Sequence, residues 1–368
     1  MPRPLVFDRW LFVTTALLVI FGLFMVGSAS FYLALSRGEG SVPFLFKLVA
    51  HVAVALLTFV VALRLPYGKL DDQRLVWAAV GISFLLLLLV LLMPPIGGAR
   101  RWFRLGPLAA QPSEFAKLVV VLFLAHVLAR REEEVNEIWR VPVPVSLAIG
   151  PLVFLILIEP DLGNAAMLAM TAFVMIFVAG LRWKYIGILA GVGAAGFVGA
   201  VIAEPYRVTR FKIYLESLLF GSVRDTLGAG FQLTQSLIAV GSGGLAGAGW
   251  GRGQQKAFFL PAAHTDFIFS VVGEELGFLG ATLLLGAFLV LFWRGMRTAS
   301  RAPNRFGFYL SLGITSMLVL QALIHMGVCL GLLPTKGLPL PLISHGGSSL
   351  VATMAAVGVL LNVSQHSN

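Results

Sequence analysis

Long apolar runs dominate this sequence and determine the environment in which it can fold. A helix that crosses the ~30 Å hydrocarbon core of a bilayer needs ~20 apolar residues. Ten segments approach or exceed that length: Trp10–Ser36, Leu48–Leu63, Leu75–Met93, Ser113–Ala129, Val141–Ile158, Leu162–Leu181, Tyr185–Ala203, Phe267–Trp293, Phe306–Leu330 and Ser348–Asn362. The pattern predicts an all-α polytopic membrane protein with about ten transmembrane helices, forming a single membrane domain over residues 1–368.

The composition excludes a water-soluble globule. Only 12% of the residues are charged, whereas a soluble domain is about one-quarter charged. The first apolar run is too long for the hydrophobic region of a cleavable signal peptide, so we predict an uncleaved span. The single cysteine, Cys329, excludes an intrachain disulfide and a cysteine-rich metal site.

The distribution of positive charge predicts the topology. With the N-terminus inside, the cytoplasmic segments hold fourteen Lys and Arg residues and the short outer loops hold six. By the positive-inside rule, both termini are predicted to be cytoplasmic. The net charge of +10 is scattered through short connections, which indicates contact with anionic membrane lipids rather than nucleic acid.

One connection is far longer than a minimal bundle requires. Residues 204–266, between the seventh and eighth spans, are predicted to form a large extracytoplasmic loop, and a loop of that length is usually functional or disordered. Within it, Phe211–Phe220 and Phe231–Val240 are predicted as short amphipathic helices. From Gly241 to Gly253 glycine recurs, which indicates either tight turns close to another surface or an ordinary flexible loop.

Ionisable residues at the edge of a membrane span are costly and are therefore functional candidates. Arg101 and Trp102 precede the fourth span, where they could bind substrate or anchor the chain at the interface. Glu114 and Lys117 lie one helical turn apart. Lys117 could face a phosphate while Glu114 holds it in place, or the two could form a structural ion pair.

Further candidates lie in the turns at the same predicted outer side. Glu159 and Asp161 flank Pro160 and could bind a cation or cap the next helix. Lys336 stands as an isolated cation in a stiff, proline-rich segment, Pro334–Pro341. Ser344 and Ser348 follow it and could cap the last helix.

The segment His264-Thr265-Asp266 enters the eighth span. Asp266 occupies a position typical of a helix N-cap, but the adjacent polar groups and the glycine-rich segment equally favour catalysis. At a helix N-terminus its carboxylate would stay ionised and able to accept a proton. Glu274 and Glu275 lie about 12 Å further along the helix, too far for a carboxylate pair ~5 Å apart. We expect them to face the bundle interior and orient other groups.

These stretches resemble the SEDS family (shape, elongation, division and sporulation proteins), and more its FtsW and SpoVE branch than its RodA branch. The matching residues run in family order from about Arg100 to the C-terminus. They are Arg101-Trp102, Gln111-Pro112-Ser113-Glu114, Lys117, Pro160-Asp161-Leu162-Gly163, Gln235-Ser236, Gly241-Ser242-Gly243-Gly244, Leu260-Pro261, His264-Thr265-Asp266-Phe267-Ile268-Phe269, Glu274-Glu275-Leu276-Gly277, Ser344 and Gly346-Gly347-Ser348-Ser349. Two positions depart from the family: His345 stands where Tyr is common, and His325 where Asn is usual.

The resemblance implies a peptidoglycan glycosyltransferase that polymerises lipid II at the outer face of the bacterial cytoplasmic membrane, with a class B penicillin-binding protein as partner. By motif, Asp266 matches the catalytic residue, and Glu114, Lys117 and Lys336 match polar positions implicated in family function. We predict that Asp266 acts as general base. The predicted substrate-binding residues are Arg101, Trp102, Glu114, Lys117, Asp161, His264, Thr265, Lys336, Ser344 and Ser348.

A pyrophosphate leaving group needs cations, for which Lys117, Arg101 and Lys336 are candidates. A divalent cation, Mg²⁺ or Mn²⁺, is a further candidate because hard cations bind phosphate oxygens. Two alternatives stay open: a flippase for lipid II, and a non-catalytic scaffold that recruits the penicillin-binding protein. Clustering of the motifs at one face favours the enzyme, since a transporter needs polar groups near the bilayer midplane.

Overall fold

A computed structural model describes residues 7–36, 41–96, 98–105, 108–220, 225 and 228–367. Thirteen α-helices lie in these ranges: α1 (Arg9–Ser36), α2 (Ser41–Arg64), α3 (Gln73–Val90), α4 (Pro112–Arg131), α5 (Pro142–Ile158), α6 (Leu162–Val178), α7 (Trp183–Ile202), α8 (Pro205–Phe220), α9 (Phe231–Ser242), α10 (Gln255–Phe258), α11 (Ile268–Ser300), α12 (Arg305–Cys329) and α13 (Gly347–Ser364). A 3-10 turn at Tyr67–Asp71 separates α2 from α3.

Ten of these helices are apolar, as predicted. Eight are long and apolar enough to cross a membrane, and α5 and α6 are shorter apolar helices of 17 residues each. The chain is a multi-pass membrane protein, and many leucines, isoleucines and phenylalanines are exposed on its outer surface, as expected of side chains that face lipid. The predicted orientation of the termini stays a prediction, and two cations in its count, Arg3 and Arg37, lie outside the described residues.

The most buried helix is α12, which contacts α4, α6, α11 and α13. Around this centre, α1 packs on α11, α2 on α13, and α3 on α4 and α5. By contrast, α7 has no buried side chain. The bundle is thus closed around α12 and open along α7.

Local chemistry explains where several helices begin and end. Asp72 precedes α3 and accepts hydrogen bonds from the N–H groups of Arg74 and Leu75, as an N-cap does. Pro112 is the first residue of α4, where its missing N–H costs nothing. After α6, Gly180 adopts φ 88°, the left-handed conformation that commonly ends a helix.

The all-α prediction misses one small element. Phe103–Leu105 (β1) pairs in antiparallel fashion with Leu108–Ala110 (β2), directly before α4. The side chain of Ser348 secures this hairpin by donating to the carbonyl of Ala109 and accepting from the N–H of Gln111, each at 2.9 Å. Ser348 therefore ties the hairpin to α13.

The glycine-rich segment packs against a kink in α11. Gly277 has φ 65° and ψ −162°, which breaks the helical hydrogen bonding at that point. Four backbone hydrogen bonds of 2.9 to 3.1 Å replace it: Ala248 N to Glu274 O, Gly249 N to Glu275 O, Phe278 N to Gly244 O and Leu279 N to Leu245 O. Of the two sequence-based interpretations, close approach to another surface is therefore confirmed.

Candidate active site

A cavity of about 500 Å³ lies at the end of the bundle where α6 and α11 begin. Four of the residues singled out in the sequence line it: Arg101, Asp161, Asp266 and Lys336. The amphipathic helix α8 forms another wall with Tyr206, Arg207, Arg210 and Phe211, and α7 supplies Phe197 and Val201. The cavity therefore brings carboxylates and cations together beside an apolar helix.

Asp266 is half-buried in the wall of this cavity and does not cap α11. The residue at the cap position is Phe267, and α11 has no side-chain cap hydrogen bond. The capping interpretation is therefore wrong, because α11 begins one residue later than the sequence suggested, at Ile268 rather than at Phe267. Burial raises the pKa of Asp266, and Arg101, Thr265 and Arg210 oppose that shift. A raised pKa makes the ionised carboxylate a stronger base.

The segment that carries Asp266 is held by the residues that directly follow the proline-rich segment, and not by α11 alone. The hydroxyl of Ser344 donates to the carbonyl of Thr265 at 2.7 Å and accepts from the N–H of Leu340 at 2.8 Å. The N–H of His345 donates to the carbonyl of His264 at 2.9 Å. Ser344, His264 and Thr265 thus position Asp266, and none of the three lines the cavity.

Gly337 lies directly against the carboxylate of Asp266. A Cβ atom at this position would come within 2.8 Å of Asp266 Oδ2. The absence of a side chain is what lets the proline-rich segment pass so close to the carboxylate.

Lys336 enters the cavity from the same segment. Its Nζ lies 4.6 Å from the centre of the Phe197 ring, within the range of a cation–π contact. Burial lowers the pKa of Lys336 to about 8, with a further contribution from Arg207 and an opposing one from Asp161. At neutral pH the side chain is therefore still mostly protonated, and it loses its charge as the pH rises through 8.

This titration predicts an alkaline limb in the pH dependence of activity. If the charge of Lys336 is required, kcat/KM should fall as the pH rises above about 8, and the Lys336→Arg variant should retain activity there because arginine stays protonated. The measurement is kcat/KM from pH 6 to about 10 for both proteins. The control is Lys212→Arg, at an exposed position of α8 outside the cavity lining. An unchanged alkaline limb in Lys336→Arg would rule out Lys336 as its source.

The Glu159–Asp161 turn contains one capping carboxylate and one buried acid. Asp161 accepts from the N–H of Asn164 at 3.0 Å and from Gln111 Nε2 at 2.8 Å, so it caps α6 while it lines the cavity. Glu159 is fully buried, and neither carboxylate oxygen has a hydrogen-bond partner among the described residues. Burial, aided by the charge of Asp161, raises the pKa of Glu159 to about 8. Glu159 is therefore mostly protonated at neutral pH.

The pair Glu114–Lys117 lies inside the bundle rather than on the cavity wall. Lys117 Nζ is 3.1 Å from both carboxylate oxygens of Glu114 and donates to Gln321 Oε1 at 2.8 Å. Gln321 in turn donates to the carbonyl of Pro339 at 2.8 Å. The structure thus shows the ion pair that the spacing allowed, linked through α12 to the proline-rich segment. Trp102 is half-buried and is also outside the cavity lining.

Sequence reasoning missed the two arginines of α8. Arg210 donates to the carbonyl of Thr335 at 3.2 Å and to Gln232 Oε1 at 2.8 Å, and its guanidinium lies 4.4 Å from the Tyr206 ring centre. The predicted helix began at Phe211, whereas α8 begins at Pro205. The spacing of Arg207 and Arg210 by three residues was the available signal, since it places both on one helical face.

The described residues do not form a metal site of their own. Among them, no group of three or more His, Cys, Asp or Glu side chains could hold a metal ion. The oxygens of Asp161 already accept from amide groups. A divalent cation stays a prediction.

Comparison with known proteins assigns the chain to a family. Residues 8–368 match the family described as "Cell cycle protein", which comprises FtsW, RodA and SpoVE. Stage V sporulation protein E of Bacillus subtilis is 41% identical over 364 residues, covering 98% of this chain and 97% of the relative. A protein named "Probable peptidoglycan glycosyltransferase FtsW" from Geobacter metallireducens is 39% identical, covering 97% of this chain and 94% of the relative.

Solved structures agree with this assignment. A chain from a structure described as "Structural coordination of polymerization and crosslinking by a peptidoglycan synthase complex" aligns with a TM-score of 0.78 and 36% identity, covering 99% of both chains. Rod shape determining protein RodA of Thermus thermophilus aligns with a TM-score of 0.72 and 32% identity, covering 100% of this chain and 99% of the other. The chain has the RodA-like fold and belongs to the SEDS family of FtsW, RodA and SpoVE.

Proposed function

We propose that this protein is a peptidoglycan glycosyltransferase that polymerises lipid II at the outer face of the bacterial cytoplasmic membrane, with Asp266 as general base. The observation that carries the proposal is the half-buried carboxylate of Asp266 in a cavity that also holds Arg101, Arg207, Arg210 and Lys336. The names of the FtsW relatives and the synthase complex support the same reaction class.

The reaction transfers a glycosyl group from a lipid-linked pyrophosphate to a sugar hydroxyl. The acceptor oxygen forms a bond to the anomeric carbon while the bond from that carbon to the pyrophosphate oxygen breaks. Asp266 takes the proton of the attacking hydroxyl, a contribution worth ~10²–10⁴-fold in rate. Because the displacement is single, the anomeric configuration is inverted.

The cations have the complementary task at the leaving group. The departing pyrophosphate gains negative charge in the transition state, and fixed positive groups stabilise such charge best where water is excluded. Guanidinium groups suit this because they bind phosphate oxygens in a bidentate manner. In this proposal, Arg101, Arg207, Arg210 and Lys336 bind the pyrophosphate in the same cavity as Asp266.

The open face of α7 offers a path for the isoprenoid chain. Phe197 and Val201 line the cavity, and no α7 side chain is buried. A lipid tail lying along α7 would keep its apolar surface away from water while its pyrophosphate stays in the cavity. We place the cavity on the extracytoplasmic side, with both termini in the cytoplasm, and a class B penicillin-binding protein as partner.

A reconstituted assay with labelled lipid II tests this function against its alternatives. Purified protein in liposomes, with and without the class B penicillin-binding protein, should yield glycan chains. Translocation of lipid II without chains would indicate a flippase instead. Neither product, together with retained binding of the partner, would indicate a scaffold. A chelator arm, with Mg²⁺ or Mn²⁺ added back, tests the predicted divalent cation.

A further inference from the structure

A second polar pocket lies at the end of the bundle opposite the cavity. It has a volume of about 150 Å³ and sits where α1 begins and where α11 and α13 end. Its polar lining consists of Asp8, Arg294, Arg297, Thr298, Arg301, Ser364 and Ser367. The proposed glycosyl transfer makes no use of this pocket.

The pocket carries positive charge that no described carboxylate fully neutralises. Arg294 Nε lies 2.9 Å from Asp8 Oδ2, so this pair is electrically balanced. For Arg297 and Arg301, no carboxylate partner is found among the described residues. The three arginines and one aspartate of the lining leave a net charge of +2. Arg294 and Arg297, three residues apart, lie on one face of α11, and Arg301 directly follows the last residue of that helix.

Exposed tryptophans place this pocket at the depth of lipid head groups. Trp293 is 60% exposed and Trp10 is 66% exposed, and both flank the pocket in sequence. Tryptophan is enriched at the boundary between the hydrocarbon core and water. The guanidinium of Arg294 lies 5.3 Å from the Trp293 ring centre. The arginines of the pocket therefore lie at the boundary of the hydrocarbon core, on its water side.

The hydrogen-bond donors that line the pocket determine which kind of ligand it can bind. Thr298, Ser364 and Ser367 already donate their hydroxyl hydrogens to backbone carbonyls. The groups left to bind a ligand are therefore guanidiniums, which match phosphate oxygens. We propose that this pocket binds the phosphate of an anionic phospholipid head group, joining the ends of α1, α11 and α13. The proposal does not depend on the proposed enzymatic function.

Thermal unfolding of the full-length protein in nanodiscs tests this site. Phosphatidylglycerol should raise Tm relative to phosphatidylcholine in the wild type, because a ligand that binds only the folded state stabilises it. The variant Arg297→Gln/Arg301→Gln should lose that increment. Its matched control is Arg182→Gln/Lys184→Gln, which removes two exposed charges from the same end of the bundle and should retain it.

Native mass spectrometry provides an independent readout for the exposed single variant Arg301→Gln, whose folding is not at risk. Retained phosphatidylglycerol should fall at least several-fold relative to wild type and to the control. A rise in Tm with inorganic phosphate alone, in wild type but not in Arg297→Gln/Arg301→Gln, would support a phosphate site and would show that free phosphate can fill it. Equal losses in both double variants, or no increment at all, would overturn the proposal.

Discussion

Replacing Gly247 with alanine is expected to prevent the protein from accumulating in a folded form. Gly247 has φ +81°, and an added Cβ would lie 2.2 Å from the carbonyl oxygen of Glu275. The obstacle is backbone rather than a flexible side chain, so the glycine-rich segment would have to leave the kink of α11. A left-handed non-glycine residue costs roughly 1–2 kcal/mol, and overpacking adds roughly 1–3 kcal/mol.

Gly241 provides the matched control for this prediction. It lies in α9, and a Cβ there would meet no atom within 4 Å. Alanine in a helix interior is favoured over glycine by roughly 0.5–1 kcal/mol, so Gly241→Ala should be as stable as wild type or slightly more stable. Yield of monodisperse protein and thermal unfolding in detergent measure both variants. A Gly247→Ala protein with wild-type Tm would show that the segment does not dock as described.

The second large effect is expected from the loss of a buried ion pair that fixes the segment leading to Asp266. Lys256 of α10 contacts the carboxylate of Glu275 on α11, and both side chains are fully buried. Ser28 of α1 donates to the same carboxylate at 2.9 Å. The adjacent carboxylate of Glu274 accepts from the N–H groups of Gln254 and Gln255. Both acids face the bundle interior, as expected, and that they orient other groups stays a prediction.

Nine residues, 257–265, separate Lys256 of this ion pair from Asp266, and they include a strained turn. Ala262 has φ +53°, unusual for a residue other than glycine. Such a conformation persists only where the surroundings enforce it. The Lys256–Glu275 pair holds one end of the segment and Ser344 holds the other. Losing the pair should let the turn relax and displace Asp266.

A double-mutant cycle separates this positioning role from simple stabilisation. Lys256→Met or Glu275→Gln alone leaves one buried group without its partner and should cost roughly 3–5 kcal/mol of stability. The double variant should recover most of that loss, because a buried ion pair is often replaceable by uncharged groups. Its kcat should stay about 10²-fold low, since a displacement of ~1 Å has that effect. Its KM should change little, because the cations of the cavity are untouched.

The measurements are Tm and lipid II polymerisation kinetics for the four proteins of the cycle. A double variant that regains both wild-type Tm and wild-type kcat would show that the pair only stabilises the fold. A double variant that regains wild-type Tm but not wild-type kcat would support a role of the pair in positioning Asp266.

The parts of the fold that depend on local sequence were predictable, and the parts that depend on distant contacts were not. Apolar run length alone located the ten spans. The start of α8 was missed because Arg207 and Arg210 interrupt the apolar pattern that was used to find it. The kink of α11 was missed because the apolar run continues through Gly277, and only the docked segment stabilises the break.

The same distinction applies to the site. The cluster of polar residues near Asp266 was visible in the sequence, but its capping interpretation followed a local rule that the tertiary fold overrides. The proline-rich segment comes some seventy residues later, and its Gly337 lies against the carboxylate. Ser344 was assigned to substrate for the same reason, since nothing local reveals that its hydroxyl binds the carbonyl of Thr265.

The most direct test of the central claim is the rate of lipid II polymerisation by Asp266→Asn. Asparagine has the same shape but cannot take the proton of the acceptor hydroxyl. Because burial raises the pKa of Asp266, the folded state disfavours the charged form, and the variant should be at least as stable as wild type at pH 7. We expect lipid II binding and Tm to be retained and chain formation to fall by ~10²–10⁴-fold. Glu133→Gln, an exposed carboxylate at the other end of the bundle, should polymerise normally. Wild-type chain formation by Asp266→Asn would contradict the account.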